Sequence, residues 1–278
     1  MGQARQRLSV LILAKNEAAR IAACLQRLTW ADEVVVVDDM STDQTAKICR
    51  QYGARVVQRQ LDTFANQANF GLQETTGDWV LSLDADELVT DELRKQIQAA
   101  LSQPSDYVGL TFKRMNFFLG HCMRYGGWYH DVLHLFRRKT GTFDGDVHYA
   151  PKLQGLIGHL NAHVEHYPFQ SLTQFVDRQN RYTSMEAQEW MRAETKRTRA
   201  HIRYQIALKP LKLFWKTYVK KQGYREGMHG LVFAGLFAWI HFLKWAKYWE
   251  CMQSTQQGEQ NGYAQTFKDN YSSAAPLC

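Results

Sequence analysis

The stretch "WVLSLDADEL" (79–88) decides how this chain is read. Apolar residues run straight into three carboxylates, Asp84, Asp86 and Glu87, with only Ala85 between the first two. A short continuous apolar run of this kind, without helical spacing, reads as a strand buried on both faces. Like charges this close raise each other's pKa unless a cation or hydrogen-bond donors sit among them. Two explanations follow. A divalent metal takes oxygen ligands from one or two carboxylates and from substrate phosphates. Alternatively, the acids form a solvated loop in which Glu87 or Asp91 serves the next helix. Spacing alone leaves both open.

The same pattern recurs upstream. "EVVVVDD" (33–39) is β-branched and continuous and ends in Asp38 and Asp39, where a carboxylate can accept hydrogen bonds from a ribose or base while the following helix start faces a phosphate. Plain helix capping by Ser41 and Asp43 explains those acids equally well. "LSVLILA" (8–14) and "ARVVQRQ" (54–60) are two further strands. Helical patterns lie between them: "EAARIAACLQRL" (17–28), "STDQTAKICRQYG" (41–53), "FANQANFGLQET" (64–75) and "DELRKQIQAAL" (91–101). For the second, Ser41 is the expected N-cap, with Gln44 closing a capping box.

Strand and helix thus alternate, which specifies an α/β fold with a doubly wound, Rossmann-like, mostly parallel sheet. Ligands of such sheets bind beyond the carboxyl ends of the strands, where Asp38, Asp39, Asp84 and Asp86 all fall. From about residue 107 glycine turns separate what read as antiparallel strands; 172–205 is helical and polar; from Leu208 the chain is basic and aromatic together. The expected organisation is one domain in two halves (1–105 and 106–170), a helical extension (171–252) and a polar tail (253–278).

Net charge is +7, a balance that favours anionic partners such as nucleic acid, phosphorylated substrates or an acidic membrane. Five widely spaced cysteines form no CxxC pair, so neither a disulfide framework nor a zinc knuckle is expected, and a reducing compartment fits. The basic start ends its apolar run at Lys15, which reads as a first strand and not as a signal peptide; the "MG" start lacks Ser or Thr at position 6, as myristoylation would need. The apolar stretch 230–243 is 14 residues long and contains His241, short of the ~20 residues that span a bilayer. Its flanking lysines and tryptophans suit a segment lying in the headgroup region of an anionic leaflet; an ordinary buried helix is the other reading.

Taken in order, "LSVLILAKNEAARIAACLQRL", "ADEVVVVDDMSTDQT" and "GDWVLSLDADE" resemble the family 2 glycosyltransferases of GT-A fold over residues 8–100. The continuation "GWYHDVLHLFRR…FDGDVHYA…HYPFQSL…NRYTSMEA" is similar to the bacterial lipopolysaccharide core β-glucosyltransferases over about 8–250. The resemblance implies that Ala14, Asn16 and Glu17 border the nucleotide base and that Asp39 contacts the uracil or ribose. It makes Asp84 and Asp86 the two acids of a DxD motif: Asp84, with Ala85 beside it, near the ribose and metal shell, and Asp86 a direct ligand of Mg²⁺ or Mn²⁺ bridging the diphosphate of a UDP-sugar.

It also places the base that takes the acceptor proton at Asp131, with His130 next in line because its ordinary pKa suits neutral pH. The implied partners are a nucleotide sugar, a lipid-linked carbohydrate acceptor and the cytoplasmic face of a bacterial inner membrane, with no nucleic acid. Relatives often carry Arg or Lys where this chain has Ala68, and Arg where it has His134, which bears on the donor phosphate contacts. His159, His163 and His166 resemble a metal cluster, though packing and hydrogen bonding are the plainer account of each taken separately; His148 and His166 match histidines of relatives, and neither is assigned as a ligand. Two other readings keep part of the pattern: a polyprenyl-phosphate sugar transferase of the same fold, and a non-catalytic basic protein binding RNA or lipid. The second gives the strand-end acids no task.

Overall fold

A computed structural model describes residues 5–144, 150–193 and 197–261, with side chains as far as 253. His148, the "MG" start and most of the expected polar tail lie outside the described residues. The chain divides into two compact units: Met1–Phe117 with Trp128–Pro168, and Phe118–Gly127 with Phe169–Cys278.

The first unit is built on one mixed sheet. Its parallel half has the order β3 (Arg55–Gln58), β2 (Glu33–Asp38), β1 (Leu8–Ala14), β4 (Trp79–Asp84). Ala14 stands opposite Asp38 and Leu13 opposite Asp84. Three strands therefore end side by side, with the loop after β1 between the two acidic ends. The antiparallel half continues through β8 (His130–Arg137), β6 (Tyr107–Phe118), β11 (Leu156–Phe169) and β5 (Glu87–Val89). β8 runs against β4, with Trp79 opposite Arg137 and Leu81 opposite Leu135, so the start of β8 comes to the carboxyl end of β4. A small ribbon of β9 (Thr142–Asp144) and β10 (Ala150–Lys152) stands apart.

Helices cover both faces of the sheet, which is why its central strands show no alternation. α1 (Ile21–Gln26) and α4 (Asp91–Leu101) pack over Ile12, Val36, Leu81 and Phe112, while α3 (Phe64–Glu74) covers Leu11, Val35, Val37 and Val80. Leu81 is fully enclosed, and truncating such a residue to alanine costs about 2–5 kcal/mol. Thr63 and Thr90 cap α3 and α4, each hydroxyl accepting an amide N–H of the first turn.

Two helix starts differ from the sequence reading. α1 begins at Ile21 and not at Glu17, because the Glu17 carbonyl accepts the amides of both Arg20 and Ile21 and closes a turn first. α2 (Thr45–Gln51) carries no capping box. The Ser41 hydroxyl accepts the Asn16 N–H at 2.9 Å and ties β2 to the β1 loop, and Asp43 takes the Thr45 amide in its place.

The second unit is helical: α5 (Leu172–Arg192), α6 (Arg199–Ala207), α7 (Lys209–Trp215), a π-helical turn (Lys216–Lys220), a short turn at Gly223–Glu226 and the 35-residue α8 (Gly227–Asn261). Segment 118–127, with the two-residue β7 (His121–Cys122), belongs here. His121 Nε2 lies 2.6 Å from the Glu226 carboxylate, which also accepts the Tyr125 N–H, and Phe118 packs against Phe175 and Phe233. Gly230 has no room for a side chain: a Cβ would lie 1.8 Å from the Gly223 carbonyl.

α8 reaches well past the apolar run 230–243. Residues Gly223–Gln253 are long and apolar enough to cross a membrane, by length and composition alone. Its C-terminal half is nevertheless keyed to a polar neighbour. Lys247 donates to Asn180 and Ser184 of α5, Lys244 pairs with Glu186, and Trp245 and Tyr248 pack on Trp190 beneath the Arg197 guanidinium. Within this unit α8 buries Phe233, Ala234, Ala238, Trp245 and Tyr248, while Leu231, Phe237, Phe242 and Trp249 stay exposed.

Candidate active site

The acids at the end of β2 are taken up by the fold. Asp38 is fully buried, and its Oδ2 accepts from the Ser41 amide and Gln58 Nε2. Asp39 accepts the Leu61 N–H at 2.8 Å and pairs with Lys15 Nζ at 2.8 Å. Asn16, in the left-handed region at φ 53°, accepts the Thr42 amide through Oδ1. Ala14 is buried, its carbonyl accepting the Asp39 N–H, and the Glu17 amide donates to Thr45 Oγ1. Ala14, Asn16 and Glu17 thus knit the segment after β1 to the segment after β2.

The acids at the end of β4 are held differently, each through an arginine to a glutamate. Arg114 of β6 meets Asp84 Oδ2 at 2.5 Å and Glu87 Oε1 at 2.6 Å. Arg20 meets Asp86 Oδ2 at 3.5 Å and Glu17 Oε2 at 3.0 Å, and also donates to the Tyr167 and Pro168 carbonyls. Asp84 is open, its side chain 42% exposed, whereas Asp86 is almost closed at 7%. Ala85 between them is buried. The Asp84 amide donates to Glu87 Oε2, so Glu87 also shapes the loop.

Burial pushes Glu87 up to about 7 against the pull of Arg114. Burial likewise disfavours the Arg114 charge, but Glu87, Asp84 and Asp86 more than offset it and raise its pKa above the ordinary value. Cys24, beside this cluster, has its thiol pushed up by burial first and then by Glu87, Asp86 and Asp84. It is no candidate nucleophile.

One oxygen each of Asp84 and Asp86 and one ring nitrogen of His166 lie within 4.8 Å of one another. His166 Nε2 stands 3.4 Å from Asp86 Oδ1. Neighbouring ligands of an octahedral ion at ~2.1 Å sit about 3 Å apart, so the Asp86–His166 edge already has nearly that spacing, with Asp84 within 4.8 Å of both. Two carboxylates and an imidazole suit Mn²⁺ or a comparable divalent ion. The residues present fit the metal that the sequence reading called for.

Asp131 goes elsewhere. It stands opposite Lys113, and His130 opposite Arg114. Because adjacent strand residues leave a sheet on opposite faces, Asp131 leaves β8 on the face away from Arg114. There it pairs with Lys113 Nζ at 2.9 Å, with His159 Nδ1 at 3.6 Å and with its own side chain 46% exposed. His130 shares the Arg114 face; burial lowers its pKa, and the charges of Arg114, His134 and His166 add to that. Of the histidines in 159–166, only His166 joins the two aspartates among the described residues.

Both departures noted in the sequence occupy packed or hydrogen-bonded positions. Ala68 is fully buried in the α3 core. The β6–β8 register steps from Leu110–Leu135 to Thr111–Leu133, making His134 the extra residue of a bulge. Its Nδ1–H donates to the Ser82 carbonyl at 2.6 Å, and burial followed by Arg114 lowers its pKa to about 4. Sequence reasoning missed Arg114 and Asn116. A signal existed: both lie in phase with Leu110, Phe112 and Phe118, the buried face of β6, where a charge needs a partner. Arg20 gave no such sign.

The family model "Glycosyl transferase family 2" matches residues 9–162, the whole span that carries these acids. The chain belongs to glycosyl transferase family 2. Among relatives of this glycosyltransferase, an uncharacterized glycosyltransferase of Rickettsia bellii is 30% identical over 87% of the chain and 86% of its own length. The lipopolysaccharide core biosynthesis glycosyltransferase LpsC of Rhizobium meliloti is 27% identical over 87% and 92%. Among solved structures, the mannosyltransferase PcManGT of Pyrobaculum calidifontis, in complex with GDP-Man and Mn²⁺, aligns with TM-score 0.48 at 17% identity, over 94% of this chain and 83% of that one.

Proposed function

We propose that this family 2 enzyme transfers a hexose with inversion from a UDP-sugar, UDP-glucose in the first place, to an inner-core heptose of lipopolysaccharide at the cytoplasmic face of the inner membrane. The observation that carries the reading is the Asp84–Asp86–His166 group at the carboxyl end of β4. Likeness over nearly its full length to a lipopolysaccharide core transferase supports the acceptor class.

Asp86 and His166 hold the divalent ion, with Asp84 completing the set; when bound, the ion neutralises charge developing on the leaving diphosphate. Asp39 and the Ala14–Glu17 loop flank the base and ribose. Arg20 and Arg114 fix the two aspartates and keep their charges balanced before the ion arrives. Asp131, at the start of β8 on the face away from Arg114, is the first base to test for the acceptor proton, and its pairing with Lys113 and His159 must open for it to accept one. His130 is a second reading of the base, favoured by its position on the Arg114 face and by the lowered pKa that keeps it neutral near pH 7.

The membrane contact has a defined candidate in α7, where no residue is buried. Leu208, Leu211 and Trp215 are 52%, 68% and 57% exposed and fall on one helical face beside Lys212, Lys216 and Lys220, the pattern of a helix lying on an anionic leaflet.

The test follows release of UDP from UDP-hexoses with truncated core acceptor. Turnover in the wild type, and its loss in Asp86→Ala, is expected. No turnover with any UDP-hexose, or full activity in Asp86→Ala, contradicts the proposal. Comparing Asp131→Asn with His130→Gln then assigns the base, since the true base loses turnover while keeping nucleotide affinity.

A further inference from the structure

The hydrogen bonds behind His166 fix which of its nitrogens can face a cation. Asn116 is fully buried on β6. Its Nδ2 donates to the Arg114 carbonyl at 3.4 Å and to the Trp128 carbonyl in a closer contact. Both neighbours are acceptors only, so the amide cannot be turned round without setting its oxygen against two carbonyl oxygens. Its Oδ1 therefore points at His166 Nδ1, 2.5 Å away. A carboxamide oxygen accepts and cannot donate, so the proton between them sits on Nδ1.

It follows that Nε2 of the neutral ring carries a lone pair. In that form Nε2 and Asp86 Oδ1, 3.4 Å apart, are two acceptors that a cation can bridge, whereas a ring protonated on both nitrogens would donate Nε2–H to Asp86 instead. We infer that Asn116 is a positioning residue of the metal site: held by two backbone carbonyls, it locks His166 in the Nδ1–H tautomer and aims Nε2 at the ion. Partners of this kind commonly govern ligand orientation and basicity, and their loss costs about 10–100-fold in metal affinity. The inference rests on the metal reading proposed above and adds a residue to it.

The tautomer can be read in the wild-type chain by ¹⁵N–¹H long-range correlation at pH 8 with Mg²⁺. A proton on Nδ1 and a bare Nε2 are expected; a proton on Nε2 overturns the inference without any variant. Mn²⁺ binding, followed by electron paramagnetic resonance without nucleotide, gives the second test. Asn116→Gln keeps a carbonyl acceptor for Nδ1–H and donors for the Arg114 and Trp128 carbonyls and should weaken binding less than Asn116→Leu, which should lose about 10–100-fold. Equal weakening in both variants, or none in Asn116→Leu, contradicts the role. Asp86→Ala separates the two levels. If it abolishes Mn²⁺ binding while Asn116→Leu leaves it intact, only this inference fails; if it too leaves binding intact, the metal reading fails.

Discussion

The ends of β2 and β4 look alike in sequence and differ in chemistry. Both are buried apolar strands running into paired acids at the same level of one sheet. At β2 the acids are met mostly by uncharged donors, the Ser41 and Leu61 amides and the Gln58 carboxamide, with Lys15 the one cation. At β4 they are met by two arginines from distant segments, each shared with a glutamate, and an imidazole joins them. Uncharged donors that close on a carboxylate make it part of the frame. Shared cations and a converging imidazole make the β4 pair the candidate for an ion.

The largest test of that contrast is to remove one acid from each end. Asp86→Ala should lower UDP-hexose turnover about 10²–10³-fold, the scale of losing a preorganised charge-stabilising element. Asp38→Ala should leave the metal-dependent step intact and cost instead about 1–3 kcal/mol of stability, because it strands the Ser41 and Gln58 donors. Denaturant melts and assays of the two variants check this together; metal loss in Asp38→Ala would erase the distinction.

Asp131 lies on neither end, and Asp131→Asn should lower turnover about 10²-fold, within the usual range for a general base, while Mn²⁺ and UDP affinities stay unchanged. If turnover survives and His130→Gln abolishes it, the base belongs to the Arg114 face.

Arg114→Gln probes the frame behind β4. It leaves the fully buried Glu87 without its cation, and breaking a buried pair from one side costs about 3–5 kcal/mol. A thermal melt within a degree or two of wild type would mean that the pair does not hold the loop.

The smallest effect concerns pH. Burial opposes ionisation of Asp32, but the Leu8 amide and Arg5 outweigh it. For Glu33, Ser9 and Thr76 do the same, and for Asp43 the Thr45 hydroxyl and amide. All three lie below their ordinary values of 3.8 or 4.5. Groups with depressed folded pKa contribute stability that is fully present above the unfolded value and is lost as pH falls through the folded one. Melting temperature should therefore decline below about pH 4.5. Asp32→Asn should flatten that decline, and an unchanged slope would show that these bonds are not specific to the folded state.

The parallel half of the sheet and the strand-end acids were legible because they rest on local pattern: continuous β-branched runs, capped helices and acids at fixed offsets. Cap exchange at Ser41 was not, since its partner Asn16 is 25 residues away. His166 could be named as matching relatives but not chosen over His159 or His163, because the choice depends on which β11 residue the sheet brings to Asp86. The placement of Asp131 depends on the phase of β8 against β6, which motif matching does not carry. Arg114 and Asn116 were readable in principle from the inward phase of β6, though their acceptors lie on other strands and loops.

The central claim is that the β4 acids, and not the β2 acids, hold a divalent ion for a nucleotide sugar. The most direct measurement is a Mn²⁺ titration by electron paramagnetic resonance of the full chain, wild type against Asp86→Ala and Asp39→Ala, with and without UDP. The account predicts one Mn²⁺ site in the wild type that UDP tightens, its loss in Asp86→Ala, and its retention in Asp39→Ala with the UDP effect weakened. Retention of the site in Asp86→Ala, or its loss in Asp39→Ala alone, would contradict it.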